Sequence, residues 1–237
     1  MSKHFSFDDV DVYREDAALF GPGRWLNTNC IHFGLRLLEH ESYFLDSGGK
    51  GAVLIFDPSQ VSFVRFQLET EEEMDDFRKG NDVDNARWLF IPVNNCQSLF
   101  ESGSHWSFMA YHVPSSTGIH LDSMRGNNND VAREILGKLN QTVSIKLRKE
   151  PMFVSLPTSI CPQQQDGCNC GVFTLLFADC LARAILTGNV DSTSAIVTED
   201  TLVTGNLEAW ASVLKDIDEK SPMVYREVIV EKMNGLW

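Results

Sequence analysis

Between Cys161 and Gly171 the chain reads Cys-Pro-Gln-Gln-Gln-Asp-Gly-Cys-Asn-Cys-Gly, and an apolar run of helical length follows at once. A sulfur at such a junction meets the unpaired N–H groups and positive potential of a helix N-terminus, which favour the thiolate. Gln164, six positions before Cys170, carries an amide N–H that can donate to an oxyanion. Upstream lie His105, beside Trp106, and Asp122. Together these residue types make a set for nucleophilic catalysis by sulfur: Cys170 as nucleophile, His105 as base, Asp122 to hold the base, and Gln164 to meet developing negative charge. Cys168 competes with Cys170. Cys170 is preferred because Gly171 follows it and the helical pattern starts there, with Cys168 two residues outside. Cys180 falls ten positions into the apolar run and reads as core.

His105 and Asp122 sit on two consecutive strand-like runs, separated by Pro114-Ser115-Ser116-Thr117-Gly118, a strong turn signal. Their midpoint falls between Val113 and Pro114, so a hairpin folding there sets the two opposite each other to within a few positions of register. Asp122 then accepts from one ring nitrogen and leaves the other for the thiol. Taken singly, each residue has a structural reading: a hydrogen-bonded histidine, a turn-forming aspartate, a cysteine packed in a core. The joint arrangement with a glutamine near the cysteine points to catalysis.

The elements that must carry these groups alternate along the chain as expected of an α+β fold. The spacing predicts a helix over 25–39, capped by Asn27 or Thr28, with Ile31, Leu35 and Leu38 as its apolar stripe. Residues 52–56 form a strand-length apolar run, and Asp57-Pro58 reads as cap and first residue of a short helix over 58–66. The acidic run 71–76 reads as a solvated helix face. Strands are predicted over 88–93, 107–113, 119–122 and 152–156. An amphipathic helix over 130–139 turns Val131, Ile135 and Leu139 to one side. The nearly all-apolar helix over 171–186 must be central, and Gly188 can end it. Residues 188–205 are polar and read as loop, with helices returning at 206–217 and 222–233. One domain over 1–237 is expected, without internal repeats.

At 43% apolar and 22% charged residues the chain is expected to be globular. A net charge of −13 argues against nucleic acid and anionic membrane as partners. No apolar run is expected to span a bilayer. Residues 1–9 lack the apolar segment of a signal peptide. Six cysteines without a secreted-scaffold pattern are expected to be reduced, in cytoplasm or nucleus. Cys161, Cys168 and Cys170 do not match the paired spacing of zinc sites, so no metal is expected. The Asn140-Gln141-Thr142 sequon reads as chance.

In order and spacing, His105-Trp106, Asp122, Gln164 and Cys170-Gly171 resemble the Ulp/sentrin-specific protease family of cysteine proteases. Gly23-Arg24-Trp25-Leu26-Asn27 is similar to that family's Trp-Leu-Asn helix start, and Trp88-Leu89-Phe90-Ile91-Pro92-Val93-Asn94 to the strand before its histidine. The resemblance spans about residues 15–185. It implies a papain-like α+β domain with a central mixed sheet flanked by helices, the nucleophile at a helix N-terminus, and no cofactor. It implies cleavage after the C-terminal Gly-Gly of a ubiquitin-like modifier, in precursor maturation or removal from target lysines. Trp25 and Trp106 would flank a tunnel admitting only residues without side chains, and Asn94 would hydrogen-bond the substrate backbone. The short length and lack of an N-terminal extension resemble the deneddylases, which act on the Nedd/Rub modifier, and a monomer is expected. The alternatives are a SUMO or ubiquitin protease of the same fold, an acetyltransferase built on the same set, or an inactive module that binds a ubiquitin-like protein. The chain departs from the family pattern at Asn169, where an Asp is usual, and at Thr28, where an acidic residue is usual. Residues 188–237 have no assigned role.

Overall fold

The computed structural model describes residues 3–46, 51–143, 150–187 and 197–236. Its centre is a five-stranded mixed sheet in the order β3 (Val53–Ile55), β4 (Trp88–Asn94), β5 (Trp106–His112), β6 (Thr117–Leu121) and β7 (Met152–Ser155). The outer pairs run parallel and the inner pairs antiparallel. Alternate side chains of β4 and β5 enter two different cores. Phe90, Phe108 and Ala110 join one, and Leu89, Ile91, Met109 and Tyr111 join the other. Burial on both faces explains why these strands read as continuous apolar runs.

The second core is closed by α4 (Pro58–Phe66), α5 (Glu71–Gly80) and α6 (Asn129–Val143). α4 starts where Asp57-Pro58 places it. The Asp57 carboxylate accepts from the backbone N–H of Ser59 (2.6 Å) and Gln60 (3.0 Å), and Gln60 Oε1 accepts from Asp57 N (2.8 Å). Glu71, Glu72 and Glu73 lie on solvent in the first turn of α5, while Met74 faces inward.

The first core is built around α7 (Cys170–Thr187), which packs on β5 and on α2 (Thr28–Glu39). By length and composition α7 does pass for a membrane span, which corrects the expectation that no run would. Two thirds of it (67%) is buried within the protein, as its apolar face-to-face composition requires of a core helix. Further helices, α9 (Leu207–Leu214) and α10 (Ser221–Gly235), pack on α7.

Three features depart from the sequence reading. α2 begins at Thr28, because Asn27 Oδ1 accepts from Cys30 N (2.9 Å) and caps it, leaving Trp25 and Leu26 outside the helix. The expected loop over 188–205 contains a short helix, α8 (Glu199–Val203), capped by Thr198 and anchored by buried Leu202 and Val203. Residues 188–196, Gly188 among them, lie outside the described residues. The N-terminal region, unread in the sequence, forms a hairpin of β1 (Lys3–Phe7) and β2 (Val10–Tyr13) followed by α1 (Arg14–Leu19). Shorter helical pieces, α3 (Ser42–Asp46) and a 3-10 turn (Val83–Asn85), fill connections.

Asp16 of α1 ties this N-terminal layer to the segment bearing Trp25. It is buried, and its carboxylate accepts from Tyr13 N (3.1 Å), Asn27 Nδ2 (2.7 Å) and Asn29 Nδ2 (3.1 Å). Asp16→Ala strands those donors and is expected to lower stability by about 2–3 kcal/mol, measured by urea unfolding. A change within about 0.5 kcal/mol, the size usual for a surface substitution, would assign the carboxylate no structural role.

Candidate active site

Cys170 is the first residue of α7, where the N–H groups of the opening turn have no intrahelical acceptor. Gly171 permits this placement: a Cβ there would come within 3.0 Å of Leu26 Cβ and 3.1 Å of Ile31 Cδ1. The first turn of α7 therefore presses directly on the Trp25-Leu26 segment and on α2. The other cysteines stand in poorer surroundings for a thiolate. Burial pushes Cys161 up to about 12, and its sulfur lies against the Asp122 carbonyl at 3.6 Å. Burial and the Asp166 carboxylate, 3.3 Å from its sulfur, push Cys168 up as well. Burial likewise raises Cys30 and Cys180, each to about 12.

His105 immediately precedes β5 and Asp122 immediately follows β6. The hairpin pairs Phe108 with Leu121 and His112 with Thr117, so its pivot lies one residue later than expected. The shift comes from the turn itself, closed by Ser116 N on the Val113 carbonyl, with Ser116 in the left-handed region (φ 55°). His105 and Asp122 are therefore diagonal rather than directly opposite, a separation their side chains span. His105 Nε2 and Asp122 Oδ1 are 2.7 Å apart, with the two residues 2% and 4% exposed. The second ring nitrogen, Nδ1, is buried without a hydrogen-bond partner.

The electrostatics follow from that geometry. Burial pulls His105 down, but its bond to Asp122 and its interaction with Cys170 outweigh this and raise it to about 9. Burial pushes the Asp122 carboxyl up, yet the His105 bond and the N–H groups of Asn128 (2.9 Å) and Met124 (2.8 Å) hold it below the usual carboxylate range. His120 makes the contrast. Equally buried, it meets Asn129 Oδ1 (2.8 Å) and Ser107 Oγ (2.9 Å) with its two nitrogens, and burial lowers it. His120 is a satisfied core residue, whereas His105 has one nitrogen in reserve.

Gln164 is bound to the same corner. Its backbone N donates to the Ser123 carbonyl (3.0 Å), and its Oε1 accepts from Ser123 Oγ (2.7 Å). Nε2 donates to the Asp166 carbonyl (2.6 Å), which uses one of its two N–H groups. The adjacent Gln163 holds the loop from the other side, donating to the Asp122 (3.0 Å) and Cys161 (2.9 Å) carbonyls and accepting from Arg125 N (2.8 Å).

The remaining three residues surround this corner. Trp106 is buried, and its indole N–H donates to the Leu26 carbonyl (3.0 Å). Trp25, next to Leu26, stands 54% exposed. Trp106 thus anchors the segment from which Trp25 projects, and Leu26 in turn touches Gly171. Asn94 is the cross-strand partner of Trp106. Its Oδ1 accepts from Cys96 N (2.9 Å), so the amide nitrogen is the end left for a ligand.

Several positioning groups escaped the sequence reading. Asn95 Oδ1 accepts from Ser104 N (2.7 Å) and His105 N (3.0 Å), and Gly103 makes room for it, since a Cβ there would lie 2.6 Å from that oxygen. Asn128 Nδ2 donates to Ser107 Oγ (3.0 Å) and to the His105 carbonyl (3.3 Å). The only signal was a run of Asn near turns. Asn140 of the sequon is buried and bonded to Tyr111 (3.0 Å). Among the described residues, Asp9, His32 and Asp57 gather as possible metal ligands. The Arg36 guanidinium already serves that group as cation, 2.7 Å from Asp9 and 3.9 Å from Asp57.

A family model described as the Ulp1 protease family, C-terminal catalytic domain, matches residues 24–201. Among curated proteins the chain is 26% identical over 187 residues to the "Probable sentrin-specific protease 8" of Dictyostelium discoideum, covering 78% of this chain and 76% of that protein. It is 26% identical over 190 residues to "NEDD8-specific protease 1" of Arabidopsis thaliana, covering 79% of each. The fold matches the C-terminal protease domain of yeast Ulp1, solved with the SUMO orthologue Smt3, at a TM-score of 0.64 and 19% identity over 97% of this chain and 85% of that one.

An NMR titration of the His105 ring is expected to show a midpoint near 9. Because His105 holds its proton more tightly folded than unfolded, it stabilises the fold fully below pH 6.5, and the gain fades as pH rises through about 9. Asp122→Asn removes the opposing charge and leaves burial dominant, so the midpoint falls well below that of wild type and the stability gain shrinks with it. An unchanged midpoint would show that Asp122 does not hold the ring's charge.

Proposed function

The chain belongs to the Ulp1 protease family of cysteine proteases, and on that premise we propose that it cleaves after the C-terminal Gly-Gly of a ubiquitin-like modifier of the Nedd/Rub type. In this reading Cys170 is the nucleophile, His105 the base, Asp122 the residue that holds the base, and Gln164 the oxyanion donor. The observation that carries it is a buried His105 ring bound through Nε2 to Asp122, with Nδ1 tied up by no other group and with Cys170, at the start of α7, near enough to the ring to help raise it.

Asp122 accepts the Nε2 proton and holds the ring, and Nδ1 holds the proton that comes from the Cys170 thiol. With His105 raised to about 9, the reacting pair near neutral pH is a thiolate beside an imidazolium. The sulfur attacks the carbonyl carbon of the terminal glycine, and the carbonyl electrons move to oxygen. The remaining N–H of Gln164 and a first-turn N–H of α7 meet that oxyanion, each such donor being worth about 3–4 kcal/mol of barrier. As the tetrahedral adduct collapses, His105 gives its proton to the leaving amine. A thioester remains on Cys170. Water, deprotonated by His105, then attacks the thioester, releasing the modifier's carboxylate and the thiol. With a C-terminal extension as the amine the outcome is maturation, and with a lysine side chain it is deconjugation.

Cys170 is 5% exposed, which favours a slender substrate over one with side chains at the reacting residues. The projecting Trp25 ring, anchored through Leu26 to Trp106, suits a wall of such a passage. The preference for the Nedd type is supported by the family resemblance in the Trp25 and His105 segments and by a relative named for NEDD8 specificity. The exposed Thr28, where the family usually has an acid, is the position most suited to tune that preference.

The test is a panel of Nedd-type, SUMO and ubiquitin probes, each with a C-terminal electrophile, alongside the matching fluorogenic fusions. Wild type is expected to form a covalent adduct fastest with the Nedd-type probe, and Cys170→Ala to form none. Cys168→Ala should keep its adduct. Gln164→Ala is expected to lower kcat by about 10²–10³-fold. Faster reaction with SUMO or ubiquitin would overturn the substrate assignment. No adduct with any probe would make the chain a binding module.

A further inference from the structure

Arg226 lies in the middle of α10, in the C-terminal segment whose purpose the sequence left open. It is 4% exposed. Its guanidinium has five N–H groups, and five oxygens surround it. Nε donates to Asn169 Oδ1 (2.9 Å). Nη1 donates to the carbonyls of Leu19 (2.8 Å) and Gly21 (3.1 Å). Nη2 donates to those of Arg24 (2.6 Å) and Cys168 (3.4 Å). Three of these oxygens belong to the segment leading into Trp25. The other two belong to the residues just before Cys170. Among the described residues no carboxylate forms an ion pair with Arg226, so this buried cation is met by neutral oxygens.

We propose that Arg226 is a positioning residue for the reaction: it clamps the segment bearing Trp25 to the loop bearing the nucleophile, and so makes the C-terminal helix a working part of the site. Two loops that meet only through side-chain packing can slide on each other. Five hydrogen bonds from one rigid planar group set their separation and their angle together. A small shift between nucleophile and substrate passage is enough to cost a large part of the rate.

Asn169 is the hinge of this arrangement. Its Oδ1 accepts from Arg226, while its Nδ2 donates to Asp166 Oδ2 (2.6 Å), and Asp166 Oδ1 accepts from the backbone N–H of Cys168 (2.8 Å) and Asn169 (2.9 Å). The amide at position 169 accepts from one neighbour and donates to the other, which an ionised carboxylate cannot do. An aspartate there would keep the Arg226 contact but set two carboxylates against each other. The departure at Asn169 is thus matched to Asp166.

This inference rests on the proposed reaction at Cys170, and one readout is chosen to be independent of substrate. Arg226→Gln, Arg226→Lys, Asn169→Asp and the exchange pair Asp166→Asn with Asn169→Asp are compared with wild type. Each is assayed at a temperature where circular dichroism shows it folded. The readouts are kcat and KM on the Nedd-type fusion, and the rate of Cys170 alkylation by iodoacetamide, read by mass spectrometry. Arg226→Gln is expected to lower kcat by tens-fold, raise KM several-fold and slow alkylation. Arg226→Lys recovers only part of the loss, because an ammonium cannot reach five acceptors. Asn169→Asp loses about tenfold in kcat/KM, and the exchange pair restores most of it by swapping donor and acceptor. Folded Arg226→Gln with kcat, KM and alkylation within twofold of wild type would overturn the proposal, as would an exchange pair no better than Asn169→Asp alone. Failure of wild type to turn over any fusion, with alkylation still slowed in Arg226→Gln, would sink the assigned reaction and leave the clamp standing.

Discussion

A carboxylate taken out of water must recover from protein donors what it loses from solvent, or it will not stay charged. Asp122 recovers it three times, from the His105 ring and from the backbone N–H groups of Met124 and Asn128. The rest of the site depends on that exchange. A charged Asp122 keeps the proton on Nε2, which leaves Nδ1 to face Cys170. The two backbone donors exist only because the chain after β6 doubles back through the Met124–Asn129 turns into α6. The geometry of the His105–Asp122 pair is thus coupled to the packing of a helix on the opposite face of the sheet.

The loops around this pair are held by side-chain carbonyl and carboxylate oxygens aimed at backbone N–H groups, and by side-chain N–H groups aimed at carbonyls. Asn95 fixes the approach to His105, Asn128 ties His105 to Ser107, Gln163 closes the loop after Asp122, and Asp16 holds the start of α2. Such bonds restrain direction as well as distance. Surface ion pairs, by comparison, gain little from geometry and are screened by salt. Arg36 with Asp9 and Arg87 with Glu199 are ion pairs at the periphery, whereas around the buried His105–Asp122 pair the loops are held by amides, which fix angles.

How much of this could be read in the sequence follows from what each feature depends on. The 3.6-residue and strand-length apolar runs depend on local pattern, and α4, α6, α7 and the sheet strands lie close to where periodicity put them. The cap at Asp57-Pro58 is a local signal with a local outcome. The register of β5 on β6 was legible only to within two positions, because it is decided by a left-handed Ser116 that no composition rule singles out. The short α8 was hidden because its residues are polar and only Leu202 and Val203 are inward. The positioning amides were hidden for a deeper reason. An Asn or Gln states what it can bond but not with whom, and Asn128, Gln163 and Arg226 meet partners set by tertiary contact.

The same separation of residue type from environment decides among the cysteines. Cys161, Cys168 and Cys170 lie within ten positions and carry the same thiol. Cys161 is buried, and the water its charged form would lose outweighs what the backbone at Asp122 returns, so its thiol is pushed up to about 12. Cys168 is nearer solvent but lies against the Asp166 carboxylate, which opposes a second negative charge. Cys170 alone of the three stands at a helix start with an imidazole beside it and with a carboxylate on the far side of that imidazole. The helix start requires Gly171 to let Leu26 approach, the imidazole requires the hairpin, and the carboxylate requires the turns into α6. The surroundings of this sulfur are therefore made by three separate segments meeting. For that reason the first and last elements of the chain, which bring no reacting atom, still bear on whether the meeting occurs.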